Sequence, residues 1–303
     1  MTKSIQRGLV FALLTAAISG FSVFYNKLVL VGGIDPLVFN IMKNGGVALV
    51  LSLLILMNRN VTKLAKLTRR QWVRLIAIGA IGGSIPFILF FEGLRSVSAV
   101  NANLIHKTLF LWVALLAVPL LRERLSTGQM VGFLIVAWSN VLIGGFTGIS
   151  IGRGEAYILI ATVLWSFENI IAKVALKDTE SMIVAWGRMA IGTIFLIVIA
   201  VGGGKIALFT HVTPQQWLVT AGSVVFLTGY VASWYRALAL APATLVASVL
   251  IVATPITNIV SALFITHVFP APQIVNLAGT LGGLFLIMVF LRYPNRKPTV
   301  QPL

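Results

Sequence analysis

Apolar stretches about as long as a bilayer is thick recur from one end of the chain to the other, and that recurrence leaves few folds open. A helix rises about 1.5 Å per residue, so roughly 30 Å of hydrocarbon takes about 20 mostly apolar residues. Runs of this length predict helical spans at residues 8–30, 37–57, 72–92, 97–119, 126–147, 154–176, 181–201, 216–236, 243–265 and 272–292. The breaks between them carry turn residues, among them Gly32-Gly33, Asp35-Pro36, Gly202 to Gly204 and Pro270 to Pro272. The tightest is Gly93 to Ser98, between the third and fourth spans. Lys3 and Arg7 before the first apolar run give it the look of a secretory signal. That run continues to Leu30, contains Tyr25, Asn26 and Lys27, and lacks a clear A-x-A cleavage site, so the segment is expected to be retained.

Composition agrees. Hydrophobic residues make up 58% and charged residues 10%, against roughly 45–50% and about 25% in an ordinary soluble domain, which excludes a soluble globular enzyme. There are no cysteines, which removes disulfide scaffolds, zinc ribbons and thiol nucleophiles. Lys and Arg number 23 against 7 Asp and Glu, a net charge of +16. With ten spans and the N-terminus inside, fifteen cations fall in cytoplasmic segments and three (Arg95, Arg153 and Lys205) in outer ones. Cytoplasmic loops are enriched in Lys and Arg, so the excess sets topology and requires no nucleic acid. The reading is a multi-pass protein of the plasma (inner) membrane with both termini cytoplasmic. The longest loops, about 58–71 and 202–215, are too short to fold as domains.

Sliding the chain on itself by about 145 positions brings Arg7-Gly8 onto Arg153-Gly154, Lys27-Leu28 onto Lys173-Val174, Lys43 onto Arg188 and Gln71-Trp72 onto Gln216-Trp217. The run Gly93 to Leu116 falls on Ala237 to Val260. Five spans per half is an odd number, so the second half enters the membrane from the other side. The expected fold class is all-α integral membrane, about ten transmembrane helices as two inverted-topology five-helix repeats, residues 1–150 and 151–303. In such architectures the substrate site lies near the midplane where the halves meet.

Two five-helix halves in some 300 residues resemble the drug/metabolite transporter superfamily, specifically its EamA-type members. Leu164-Trp165-Ser166 followed by Ile171 to Leu176 is similar to the first helix of an EamA repeat. Tyr235-Arg236-Ala237-Leu238, Pro242-Ala243 and Thr254-Pro255-Ile256 resemble its third-to-fourth helix passage, and Leu120 to Leu125 the acidic end of its fourth helix. The first half departs from the pattern: Ser19 replaces the Trp found at Trp165 and Leu111 the proline found at Pro255. In the second half, His267 replaces the acid found at Glu123. The resemblance implies a metabolite exporter, with the fifth and tenth helices as support or dimer contacts in a possible homodimer.

Ionisable groups at membrane depth usually face a cavity or a partner. Five cations lie inside spans. Lys27 and Lys173 sit near helix ends, where they are expected to snorkel to headgroups. Lys107 lies about 15 Å deep, with Asn103 four residues before it on one helical face and His106 beside them. Glu168 is the deepest acid; Trp165, Asn169 and Lys173 form an i, i+4, i+8 stripe beside it. Arg188 lies at a similar depth and is expected to pair with Glu168, while Lys43, its repeat counterpart, is expected to pair with Glu92. The two pairs would close the inner and outer sides alternately. Glu168 is also a candidate proton-coupling group. Tyr230, Trp234 and Tyr235 are candidate cavity aromatics; Trp72 and Trp217 are expected interface anchors. Gly79-xxx-Gly83, Gly128-xxx-Gly132 and Gly279-xxx-Gly283 are read as packing motifs.

The candidate substrate-binding or gating set is therefore Lys107, Asn103, His106, Glu168, Asn169, Trp165, Lys43, Arg188, Glu92 and Tyr230. No Walker-A pattern, H-E-x-x-H or serine with an adjacent base occurs, and His211 and His267 are not spaced as metal ligands, so no cofactor and no enzymatic activity is expected. Three deep cations against Glu168 and the shallower Glu92 favour a substrate bearing a carboxylate, such as an amino acid, moved by alternating access. A coupling proton or counter-substrate and membrane lipid complete the expected partners. The alternatives are an exchanger of phosphorylated metabolites or nucleotide sugars, and a channel without coupled transport.

Overall fold

The computed structural model describes residues 2–58, 61–123, 125–144, 152–268 and 271–292, with side chains except at 140–144, 266, 271–273 and 291–292. Every regular element among the described residues is helical. The first span is α1 (Lys3–Val31) and the second α2 (Pro36–Met57); a short α3 (Val61–Ala65) precedes the third, made of α4 (Arg69–Gly83) and α5 (Ile85–Ser96). The fourth is α6 (Ala99–Lys107) with α7 (Leu109–Leu121), and the fifth α8 (Thr127–Gly144). In the second half come α9 (Arg153–Ala175), α10 (Ser181–Gly202), a 3-10 helix (Lys205–His211) and α11 (Pro214–Leu240). The ninth span is α12 (Ala243–Val249), a 3-10 turn (Leu250–Val252), α13 (Ala253–Ser261) and a π turn (Ala262–Thr266); the tenth is α14 (Ala271–Arg292). Eight of these spans are long and apolar enough to cross a membrane, and the fifth and tenth contain shorter apolar helices, Thr127–Ser139 and Ile274–Phe290. Residues 145–147 of the expected fifth span lie outside the described residues.

The repeat is visible in the caps as well as in the order of helices. The Gln-Trp pair that recurs in both halves belongs to a capping box: Thr68 with Gln71 starts α4, and Thr213 with Gln216 starts α11. Each box satisfies amides that have no partner within the helix. Packing follows a pseudo-two-fold pattern. α1 lies against α11 and α13, and its repeat-mate α9 lies against α4, α5, α6 and α7. α2 packs on α10 and α8 on α14, each helix with its own repeat-mate. The chain thus forms two groups, spans one, eight and nine against spans three, four and six.

Ion pairs and loop contacts place the turns at two ends. Lys63 meets Glu180 at 2.5 Å and Arg74 meets Asp178 at 2.7 Å on the face where α1 begins. On the opposite face Lys205 meets Asp35 at 3.2 Å. Gln71 donates to the Asp178 carbonyl at one end, and its repeat-mate Gln216 to the Gly32 carbonyl at the other. Partial burial pushes the Asp178 carboxyl up, but hydrogen bonds from Arg74 and Thr179 and the charges of Arg74 and Arg70 outweigh it and hold it below the usual carboxylate range. These pairs are largely exposed and contribute about 0–1 kcal/mol each; they locate loops more than they stabilise them.

The small-residue motifs are used within the chain. A Cβ on Gly132 would come within 2.8 Å of the Gly283 carbonyl, and one on Gly283 within 2.8 Å of the Gly132 carbonyl, so α8 and α14 touch backbone to backbone. This pairing occupies these glycines with each other. Gly83 does the same against Gly192 of α10, where a Cβ would also meet the Arg188 carbonyl. Trp217 is exposed, as an interface anchor should be, whereas Trp72 packs edge-on against Trp186. Gly132→Leu is expected to overpack the α8–α14 seam and to destabilise the protein by about 1–3 kcal/mol, read as a lowered melting temperature in detergent.

Candidate functional site

Proline in the third span creates the site's frame. In an uninterrupted helix the Gly82 carbonyl would receive the N–H of residue 86, but that residue is Pro86 and has none. The helix breaks at Ser84 between α4 and α5. The freed Gly82 carbonyl accepts from the Trp165 indole at 2.9 Å and from Arg188 Nε at 3.2 Å. The adjoining Gly83 carbonyl accepts from Asn44 Nδ2 at 3.1 Å. Backbone that would otherwise be unpaired inside the membrane thereby fixes a tryptophan and an arginine.

Those two side chains border a cavity with about 630 Å³ of empty space, solvent at its edge included. It lies between the two groups of spans. α1 contributes Ser19, Ser22, Val23 and Asn26; α2 contributes Lys43; α5 contributes Phe87, Phe90 and Phe91. The rest of the lining is His106 and Leu109, then Trp165, Glu168 and Asn169 of α9, Arg188 of α10, and Leu227, Tyr230 and Trp234 of α11. Among the described residues, none of α8 or α14 lines it.

The charged groups occupy one side. Glu168 and Arg188 face each other at 3.8 Å, both nearly inaccessible to solvent. Tyr235 donates to Glu168 Oε1 at 2.5 Å and accepts from Arg188 Nη1 at 3.4 Å. Glu168 Oε2 has no hydrogen-bond partner. Among the described residues no carboxylate pairs with Lys43. Its ammonium sits 3.6 Å from the centre of the Phe91 ring, 4.7 Å from Phe87 and 4.9 Å from Phe39, with Asn40 Oδ1 at 3.4 Å. Aromatic faces carry negative quadrupole density and stabilise a desolvated cation. Phe87 also lies 5.6 Å from the Arg188 guanidinium, so one ring neighbours both cations. The lining therefore holds two cations and one acid.

The remaining lining is aromatic and polar. The His106 ring is 4.9 Å from Trp165 and 5.3 Å from Phe90, and its Nδ1 is unpartnered. Asn169 donates to the Trp165 carbonyl at 2.8 Å and accepts from Trp234 Nε1 at 2.9 Å. Tyr230 stacks on Trp234 at 5.9 Å.

Seven of the ten sequence candidates, Lys43, His106, Trp165, Glu168, Asn169, Arg188 and Tyr230, line this cavity. Lys107 and Asn103 do not. The Lys107 ammonium is buried behind the wall, donating to Ser19 Oγ at 2.8 Å, and both polar ends of the buried Asn103 are unpartnered. The fourth span breaks at Thr108, whose hydroxyl and N–H both turn back to the Ile105 carbonyl at 2.7 and 3.1 Å, so Lys107 ends α6. Glu92 is also outside the lining, and among the described residues no ion pair joins it to Lys43; three phenylalanine rings take that place. Lys27 and Lys173 likewise turn inward to backbone carbonyls. Sequence reasoning missed Phe87, Phe90, Phe91, Asn26 and Ser22. Pro86, four residues after Gly82, was the available signal for the carbonyl that organises the site.

Comparison with known proteins shows the family. The family model described as "EamA-like transporter family" matches residues 6–145 and again 152–289. An uncharacterized transporter of Methanothermobacter thermautotrophicus is 22% identical over 79% of the chain and 70% of its own length. Uncharacterized transporters of Bacillus subtilis and a Synechocystis species are 28% and 26% identical over 60% and 75% of the chain, which spans 60% and 66% of those relatives. A crystal structure of a protein superposes with a TM-score of 0.76 at 15% identity over 98% of this chain and all of that one, a likeness of fold.

Arg188→Met leaves Glu168 buried without its cation, which is expected to cost about 3–5 kcal/mol. The double variant Glu168→Gln/Arg188→Met is expected to recover most of that loss, measured as melting temperatures of the three purified proteins.

Proposed function

The chain belongs to the EamA-like transporter family, and we propose that it is a secondary active transporter of small carboxylate-bearing metabolites, amino acids among them, working by alternating access in the direction of export. The observation that carries this reading is the charge of the cavity: Lys43 and Arg188 face it against Glu168 alone. A carboxylate would meet the ammonium of Lys43, which has only aromatic rings and an amide to compensate it. The 3.8 Å gap between Arg188 and Glu168 is wide for an ion pair, so a ligand amine or a proton can compete for the free Oε2 of Glu168. The aromatic wall formed by Trp165, His106 and Phe90 suits an apolar or flat substituent.

The membrane setting in this reading is the inner membrane, with the termini on the cytoplasmic face. It rests on the fifteen-to-three distribution of loop cations. Two facing cations also suit a phosphoryl group, which makes exchange of phosphorylated metabolites the second reading.

Purified protein is expected to be stabilised by one ligand class in a melting screen of amino acids, other organic acids and sugar phosphates, since a ligand that binds only the folded state raises its stability. Lys43→Ala is expected to abolish that shift while the unliganded melting temperature falls less than for Arg188→Met. Stabilisation by sugar phosphates alone selects the exchanger reading. Saturable counterflow in proteoliposomes is the expected sign of a carrier, and high unsaturable flux is that of a channel. Glu168→Gln is expected to uncouple transport from a proton gradient; unchanged coupling removes the acid from that role.

A further inference from the structure

Lys27 and Lys173 are repeat-mates, and the structure gives them the same task at opposite ends. Lys27, near the end of α1, donates to three backbone carbonyls where the third span turns into the fourth: Leu94 at 2.8 Å, Arg95 at 3.0 Å and Val97 at 2.9 Å. Its three N–H donors are all used. Lys173, near the end of α9, donates to the carbonyls of Leu238 and, at 2.7 Å, Ala241, where the eighth span turns into the ninth. The last carbonyls of a helix have no N–H partner within it and carry the negative end of its dipole, so an ammonium is the natural group to satisfy them.

Which bodies these bonds join is decisive. α1 packs with α11 and α13, whereas α5 packs with α9. Lys27 therefore crosses from the group of spans one, eight and nine to the group of spans three, four and six. Lys173 crosses between the same two groups in the other direction. The first bond lies on the face that holds the Lys205–Asp35 pair, the second on the face where α1 begins. The cavity lies between the two groups and between the two lysines. A further contact reinforces the second end: Glu123, just after α7, accepts from the N–H groups of Ala243 and Thr244 at 2.7 and 3.0 Å, again joining the two groups.

We propose that Lys27 and Lys173 are the two gate latches of the transporter, each holding the groups together at its own face, and that the cavity opens at a face when that lysine releases its carbonyls. The latches rest on the alternating-access reading, and they replace the buried pair Lys43–Glu92 as the closing contact on the Lys27 face. Because their acceptors are backbone, opening costs the exposed carbonyls their partner, which water entering the gate can supply.

The native chain has no cysteine, so Ser22→Cys, in the cavity wall, introduces the sole thiol. Its labelling by a membrane-impermeant maleimide, added to either side of oriented vesicles, reads access from each face. Lys27→Met is expected to raise labelling from the Lys27 face by about tenfold, as loss of hydrogen bonds worth a little over 1 kcal/mol would, and not from the other. Lys173→Met is expected to do so from the α1-start face only. Lys27→Arg and Lys173→Arg, which keep donors for the carbonyls, are expected to restore the parent rates. Equal rises from both faces, as a loosened fold would give, or unchanged rates in both variants overturn the proposal. Sided labelling without counterflow in the parent would reject transport and keep the latches; counterflow with unsided labelling would reject the latches and keep transport.

Discussion

Hydrocarbon offers no hydrogen bonds, so each place where a span departs from an unbroken helix must find its own partners. The functional architecture follows from how this chain meets that demand. The carbonyl freed by Pro86 holds Trp165 and Arg188. The carbonyls at two helix ends hold Lys27 and Lys173. In the ninth span, Pro255 lacks the N–H that would serve Ile251, and the backbone passes through a 3-10 turn at the repeat position that matches the Thr108 break in the fourth. Interruptions are thus the points where side chains are fastened, and the smooth helices α8 and α14 stand apart from the cavity, joined to each other.

The frame was legible in the sequence because it depends on few variables. Length and apolarity set the spans, and basic residues set their expected sidedness. The spacing of Gln71 and Gln216, or of Lys43 and Arg188, revealed a duplication that recurs in the capping boxes and in paired helix contacts. Glycine motifs told which helices approach closely, though not that α8 and α14 would use each other.

The site was legible only in part. Depth arithmetic found Glu168 and Arg188, which do meet. It could not find the angular position of Lys107, next to a helix break, whose ammonium ends up bonded to Ser19. Nor could it assign Lys43, because a search for opposite charges overlooks phenylalanine as a cation's partner. Lys27 and Lys173 were expected to reach headgroups because a span counted alone has no neighbours; helix ends beside them offered nearer acceptors.

The two halves have kept their scaffold alike and let their chemistry drift apart. Arg188 leans on a tyrosine and a glutamate, while Lys43, its counterpart, leans on rings; where Glu168 stands in one half, the other has Ser22. A pocket whose walls were true copies would hold a ligand equally well in either of two orientations related by the pseudo-axis. This lopsided one presents different groups to the two ends of whatever occupies it.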